Sequence, residues 1–151
     1  MYQKVLVPLD GSELAECALS HVKNLVKEGA VGEVILLNVV VVHIPGRGEY
    51  SGLADINTIR ENLFMESRKY LADVESRLAS EGIKVKMVSL EGNRPADAIS
   101  DYAQKNGIEL IVIATHGYTG LKKMMFGSVA LRVLHDSHAP VLLIRPESCP
   151  E

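Results

Sequence analysis

Short unbroken apolar runs alternate along this chain with longer stretches in which apolar residues recur every three or four positions. Residues 4–9 are continuously apolar after Lys4, the pattern of a strand buried on both faces, and Pro8 suits its end because it has no N–H to give a neighbour. Asp10-Gly11-Ser12-Glu13 then turns the chain. Ser12 is placed to cap a helix, and Asp10 or Ser12 to close an Asx-type turn. The spacing predicts a helix over 13–27, with Leu14, Ala18, Val22, Leu25 and Val26 on its apolar face and Gly29 just beyond its end. Residues 33–41 form a second buried strand whose one polar member, Asn38, is expected to be satisfied by a structural hydrogen bond. Residues 43–57 carry Pro45, Gly46, Gly48 and Gly52 and read as a long loop, a candidate lid. A helix over 58–80 follows, striped by Ile59, Leu63, Tyr70, Val74 and Leu78 and stopped by Gly82.

The second half repeats the alternation. Residues 83–90 alternate apolar and polar, as an edge strand does. Pro95 opens a short helix with Ala96, Ile99 and Ala103 on its buried face, and Asn106-Gly107 ends it. Residues 109–115 are a fourth strand. A glycine-bearing loop follows, then a helix over 129–136 and a fifth strand over 141–144 bounded by Pro140 and Arg145-Pro146. Strand–helix alternation of this kind predicts a parallel sheet covered by helices on both faces. The expected fold is α/β, one doubly wound five-stranded parallel sheet in the order 3-2-1-4-5, as a single domain over 1–146 with a tail at 147–151. In such sheets ligands bind beyond the carboxyl ends of the strands where the winding reverses, between strands 1 and 4. The loops meeting there are Asp10-Gly11-Ser12 and 114–128.

Composition narrows the function. Apolar residues make up 47% and the net charge is −3, without a basic tract, so neither nucleic acid nor a membrane is expected as a partner. No secretory leader precedes the first strand, and a cytoplasmic location is expected. Cys17 and Cys149 are far apart, and no structural disulfide is expected between them. The five histidines form no zinc pattern, and His135 and His138 read as a solvated helix end.

Chemistry concentrates in the loop after strand 4. Glycines there free backbone N–H groups, and the first turn of the following helix adds unpaired ones, so anions are attracted. Gly127-Ser128 at the helix start adds a hydroxyl, and Lys122 and Lys123 add positive charge. This is not a Gly-x-x-x-x-Gly-Lys-Ser/Thr phosphate loop, nor does a dinucleotide fingerprint follow strand 1. Asp10 is the one acid expected in the site, and His116 reads as a loop side chain more than as a base.

Val-Pro-Leu-Asp10-Gly-Ser-Glu after strand 1, Ala114-Thr-His-Gly117 with Gly127-Ser128-Val-Ala after nine intervening residues, and Ala139-Pro-Val-Leu-Leu-Ile-Arg at the close together resemble the universal stress protein family over essentially the whole chain. The loop is similar to that of the ATP-binding branch, with Ala114 where that branch has its first glycine. Alanine is strained there if the position needs positive φ, and tolerated if it needs only smallness. The resemblance implies adenosine near Pro8, Leu9, Asp10 and the backbone of Val39. It implies ribose near Asp10 and the loop start at Ala114 and Thr115, and a triphosphate on the N–H groups of Gly117, Gly127, Ser128 and Val129. It implies Mg2+ or Mn2+ carried by the phosphates, and a regulatory partner protein. The leading expectation is an ATP-binding stress-response module with slow or no hydrolysis. An enzyme acting on ATP or an adenylated substrate, and a ligand-free oligomerisation module, are the alternatives. Strand 5 is apolar yet at a sheet edge, so a homodimer through residues Pro140 to Arg145 is expected on physical grounds, and the resemblance implies the same dimer.

Overall fold

The computed structural model describes residues 1–43, 55–115 and 126–145. Five parallel strands, β1 (Tyr2–Pro8), β2 (Val31–Val40), β3 (Val85–Glu91), β4 (Leu110–Ala114) and β5 (Val141–Ile144), lie in the order β3-β2-β1-β4-β5. The expected order is therefore the observed one, with β3 at one edge and β5 at the other.

The central strands are apolar on both faces because both faces are covered. Val5, Leu6, Val7, Ile111, Val112 and Ile113 are all 0% exposed. Helices α1 (Glu13–Glu16), α2 (Ala18–Lys27) and α3 (Ile56–Ala79) lie on one side, where Arg77 and Lys23 pair with Glu16 and Glu81 across the helix boundary. Helices α4 (Pro95–Lys105) and α5 (Phe126–Asp136) lie on the other, where Arg132 reaches Asp97. Right-handed crossovers in this strand order require that division.

Three details differ from expectation. The first helix is divided at Cys17, where the Cys17 N–H bonds Leu14 in a tight i→i+3 turn and Ser20 Oγ takes the Cys17 carbonyl. Cys149, the other cysteine of the pair for which no disulfide is expected, lies outside the described residues. The last helix begins at Phe126, so Gly127 and Ser128 stand inside its first turn instead of before it. On α3 the buried stripe is Ser67, Leu71, Val74 and Leu78, while Ile59 and Leu63 are only half-buried.

Gly32 shows how tightly β1 and β2 meet. A Cβ there would stand 2.8 Å from the Gln3 carbonyl oxygen, a backbone atom that cannot swing away. Gly32→Ala is therefore expected to lower stability by about 1–3 kcal/mol, the usual cost of overpacking, read as a reduced urea midpoint with an unchanged slope.

Candidate functional site

The β1 ladder stops at a proline, and a turn built from side chains takes over. Pro8 is the last registered residue, opposite Leu37, and the Leu9 N–H donates to the Leu37 carbonyl at 2.8 Å. Leu9 is buried and Asp10 half-buried. Asp10 Oδ1 accepts from the Ser12 N–H at 2.9 Å and from Ser12 Oγ at 2.5 Å, while Ser12 Oγ accepts from the Ala15 N–H at 3.1 Å. The Asx turn and the helix cap are thus both made, and one serine hydroxyl serves them by donating to the acid and accepting from the helix. Gly11, at φ 90°, supplies the left-handed step the turn needs. Both bonds to Asp10 fall on Oδ1. Among the described residues Oδ2 carries none, so a fixed carboxylate keeps one oxygen for a ligand.

Two clefts flank this acid, one on each side of the strand ends. The first, about 190 Å³, is lined by Pro8, Leu9, Asp10, Val39, His43 and Ile99 among others, and is walled by the start of α4 at Pro95. The second, about 340 Å³, lies against α3 and is lined by Asp10, Gly11, Leu63, Glu66, Ser67 and Tyr70 among others. Asn38 borders both. Its amide donates to the Leu9 carbonyl at 2.8 Å and its oxygen accepts from Ser67 Oγ at 2.6 Å. The structural hydrogen bond expected of Asn38 is therefore present. A larger depression of about 790 Å³ runs along the outer side of α4 past Arg94, Asp97, Asp101 and Lys105. It is open and charged and lies away from the winding reversal. Its one orphan is Ser100 Oγ, buried without a hydrogen-bond partner among the described residues.

The other expected site residues sit on β4 and α5. Ala114 closes β4, fully buried and paired with Ile144, and no non-glycine residue among those described has positive φ. Alanine is therefore unstrained in place of the family glycine, and smallness is what the position uses. The Thr115 N–H is spent on the Ile144 carbonyl at 2.9 Å. Val129 is buried and is the fourth residue of α5, where the N–H enters the helix's own ladder, while Gly127 is half-buried and Ser128 exposed in the first turn. Gly117, with His116, Gly120, Lys122 and Lys123, lies outside the described residues, as do residues 44–54 of the expected lid and the tail from 146. Pro8, Leu9, Asp10 and Val39 are thus brought together on one cleft. Their alignment with β4 follows from the β1–β4 register, Leu6 beside Ile111, which carried forward sets Leu9 by Ala114.

Sequence reasoning missed Ser67, Ser89 and the Glu16 cluster. Tyr70 donates to Glu16 Oε2 at 3.0 Å, and Arg77 grips Glu16 Oε1 at 2.6 Å. Burial, and then the negative charge of Glu16, push the Tyr70 phenol well above its ordinary range, while the hydrogen bond to Glu16 raises Arg77. The signal for Ser67 was available. It occupies the α3 stripe position four residues after Leu63 and four before Leu71, where an apolar side chain was due.

A doubly wound parallel sheet with a carboxylate at its winding reversal defines a Rossmann-like α/β protein. The universal stress protein family model matches residues 1–145, and the chain belongs to that family. It is 35% identical to universal stress protein MJ0531 of Methanocaldococcus jannaschii over 96% of this chain and 83% of that one. It is 32% identical to YxiE of Bacillus subtilis over 96% of this chain and the whole of the other. The solved structure of MJ0577, also from M. jannaschii, superposes with a TM-score of 0.77 at 34% identity, covering 96% of each chain.

The Tyr70 shift carries a pH signature. Its folded pKa lies above the unfolded value near 10, so its contribution is complete below pH ~10 and is lost as pH rises through the folded value. The stability advantage of the native protein over Tyr70→Phe is expected to shrink above pH ~10, measured by urea unfolding across pH 8 to 11. A constant difference would show that the phenol keeps an ordinary pKa.

Proposed function

We propose that this protein binds ATP beyond the carboxyl ends of β1 and β2 and acts as a nucleotide-dependent regulatory module. The observation that carries the reading is Asp10, held through Oδ1 by Ser12 with Oδ2 open, on the rim of a mostly apolar cleft at the winding reversal. An apolar slot with a few convergent polar groups is the ordinary form of a small-molecule site. Adenine would enter between Leu9, Val39 and Ile99, and the ribose hydroxyls would meet Asp10. The phosphates would take the N–H groups of Gly127 and Ser128 in the first turn of α5, together with Gly117. Mg2+ or Mn2+ would travel on the phosphates, which suits hard cations that keep much of their water. Among the described residues no group of three or more His, Cys, Asp or Glu side chains gathers to hold a metal.

Adenine nucleotides occur on this fold elsewhere in the family. One universal stress protein has been solved with cAMP and an Arabidopsis thaliana member with AMP, at 20% and 17% identity and TM-scores of 0.65 and 0.66. Binding is favoured over turnover because, among the described residues, the β1–β2 cleft is lined by Asp10 and His43 as its titratable side chains, without a lysine or arginine beside them. Phosphoryl transfer needs both a positioned base and strong charge stabilisation. Hydrolysis is accordingly slow or absent, and nucleotide occupancy is what a regulatory partner would read.

The same reading makes the protein a homodimer. β5 pairs with β4 on one side, and among the described residues no strand pairs with its other edge. Leu142 on β5 and Leu131 and Leu134 on α5 are 38%, 59% and 47% exposed. A second copy laying its own Pro140–Arg145 antiparallel would cover both the edge and the leucines, in a self-complementary contact.

Calorimetric titration with Mg-ATP is expected to give a dissociation constant of roughly micromolar order. Asp10→Ala should weaken it at least about tenfold, the loss of a charged hydrogen-bond acceptor. No heat with ATP, ADP or AMP would remove the reading. In light scattering the native protein is expected at dimer mass and Leu143→Lys at monomer mass or aggregated. A monomeric native protein at micromolar concentration would contradict the shared-edge dimer.

A further inference from the structure

Ser67 is buried, at 6% exposure, and its bonds form a directed chain. The Leu9 carbonyl can only accept, so it meets the nitrogen of the Asn38 amide, at 2.8 Å. That sets the Asn38 oxygen toward Ser67, whose single hydroxyl hydrogen must be donated to it, at 2.6 Å. Ser67 then has only lone pairs for Ser89 Oγ, 2.7 Å away, so Ser89 is the donor there. The sense runs Ser89 to Ser67 to Asn38 to Leu9, from the edge strand β3 through α3 and β2 to the end of β1.

The chain ends at one peptide group. Leu9 stands one residue past the last registered pair, Pro8 opposite Leu37. Its carbonyl belongs to the rigid plane that also holds the Asp10 N–H. Fixing that carbonyl fixes the base from which the Asp10 side chain leaves. Anchoring α3 to the sheet does not account for the arrangement, because Leu71, Val74 and Leu78 do so further along, at 0–1% exposure. A buried polar chain is costly unless every member is satisfied, and what this one specifies is orientation.

We propose that Ser67 and Ser89 are positioning residues for the nucleotide site, acting through Asn38 on the Leu9–Asp10 peptide so that Asp10 Oδ2 faces the ribose hydroxyls. The inference rests on the nucleotide reading above. It makes selectivity for ribose hydroxyls a property partly set from α3, without any α3 side chain touching them.

The test compares Mg-ATP with Mg-2′,3′-dideoxy-ATP on the full chain by calorimetry. Ser67→Ala is expected to weaken ATP about three- to tenfold, the worth of one net hydrogen bond, and to leave the dideoxy nucleotide unchanged. Ser89→Ala, on the edge strand, should show the same selectivity loss at smaller size, and it decides the matter if Ser67→Ala does not fold. Equal weakening of both nucleotides would reduce the chain to a general support of the fold and overturn the proposal, as would no change in either. Absence of ATP binding by the native protein would overturn the nucleotide reading itself, and this inference with it.

Discussion

The structure depends on one geometric constraint. Right-handed crossovers send the chain from β1 toward β2 and β3 with helices on one face, and from β3 back past β1 to β4 and β5 with helices on the other. The two windings part at β1. Every polar feature of the site hangs on this parting. The proline that ends the β1 ladder, the Asp10–Gly11–Ser12 turn and the Asn38 tie stand where the sheet's own hydrogen bonding runs out and side chains must take it over.

The two halves of the site differ in kind. The β1–β2 half is made of side chains, each held by a second side chain, and its wall is the packed core itself. The α5 half is made of backbone, the first turn of a helix whose Val129 and Ala130 are buried and whose Ser128 is exposed. Side chains select and backbone N–H groups attract, so under the proposed nucleotide reading the first half would recognise the nucleoside and the second would retain its phosphates. The ion pairs on the helices belong to neither. Arg77 with Asp73 and Lys105 with Asp101 are exposed i,i+4 pairs of small worth.

The sheet order was legible because strict strand–helix alternation and the crossover rule leave few topologies. The face of α4 was legible too: Ala96, Ile99 and Ala103 are its buried residues, behind Pro95 at the first turn. Asp10 and its cleft followed from where such sheets bind ligands. What escaped was anything set by a polar residue on an apolar stripe. Ser67 was passed over in favour of Tyr70, and Leu71 was lost with it, because periodicity counts apolar positions and cannot see a hydroxyl satisfied in three dimensions by strands far off in sequence. The break at Cys17 and the early start of α5 are local hydrogen-bond choices below what propensity resolves.

The β1–β4 pairing has a consequence for how the chain comes into being. Val5 pairs with Leu110, so the central strand of the sheet is synthesised well before this partner, more than a hundred residues downstream. Until β4 leaves the ribosome, the β1–β2–β3 half stands with an inner edge bare and Val5, Leu6 and Val7, wholly buried in the finished protein, open on that side. At synthesis rates of roughly 5–20 residues per second that interval lasts several seconds, long enough for a nascent half-sheet to meet another of its kind or a chaperone. The strand that organises the candidate site is therefore also the one whose isolation during translation the cell has to manage.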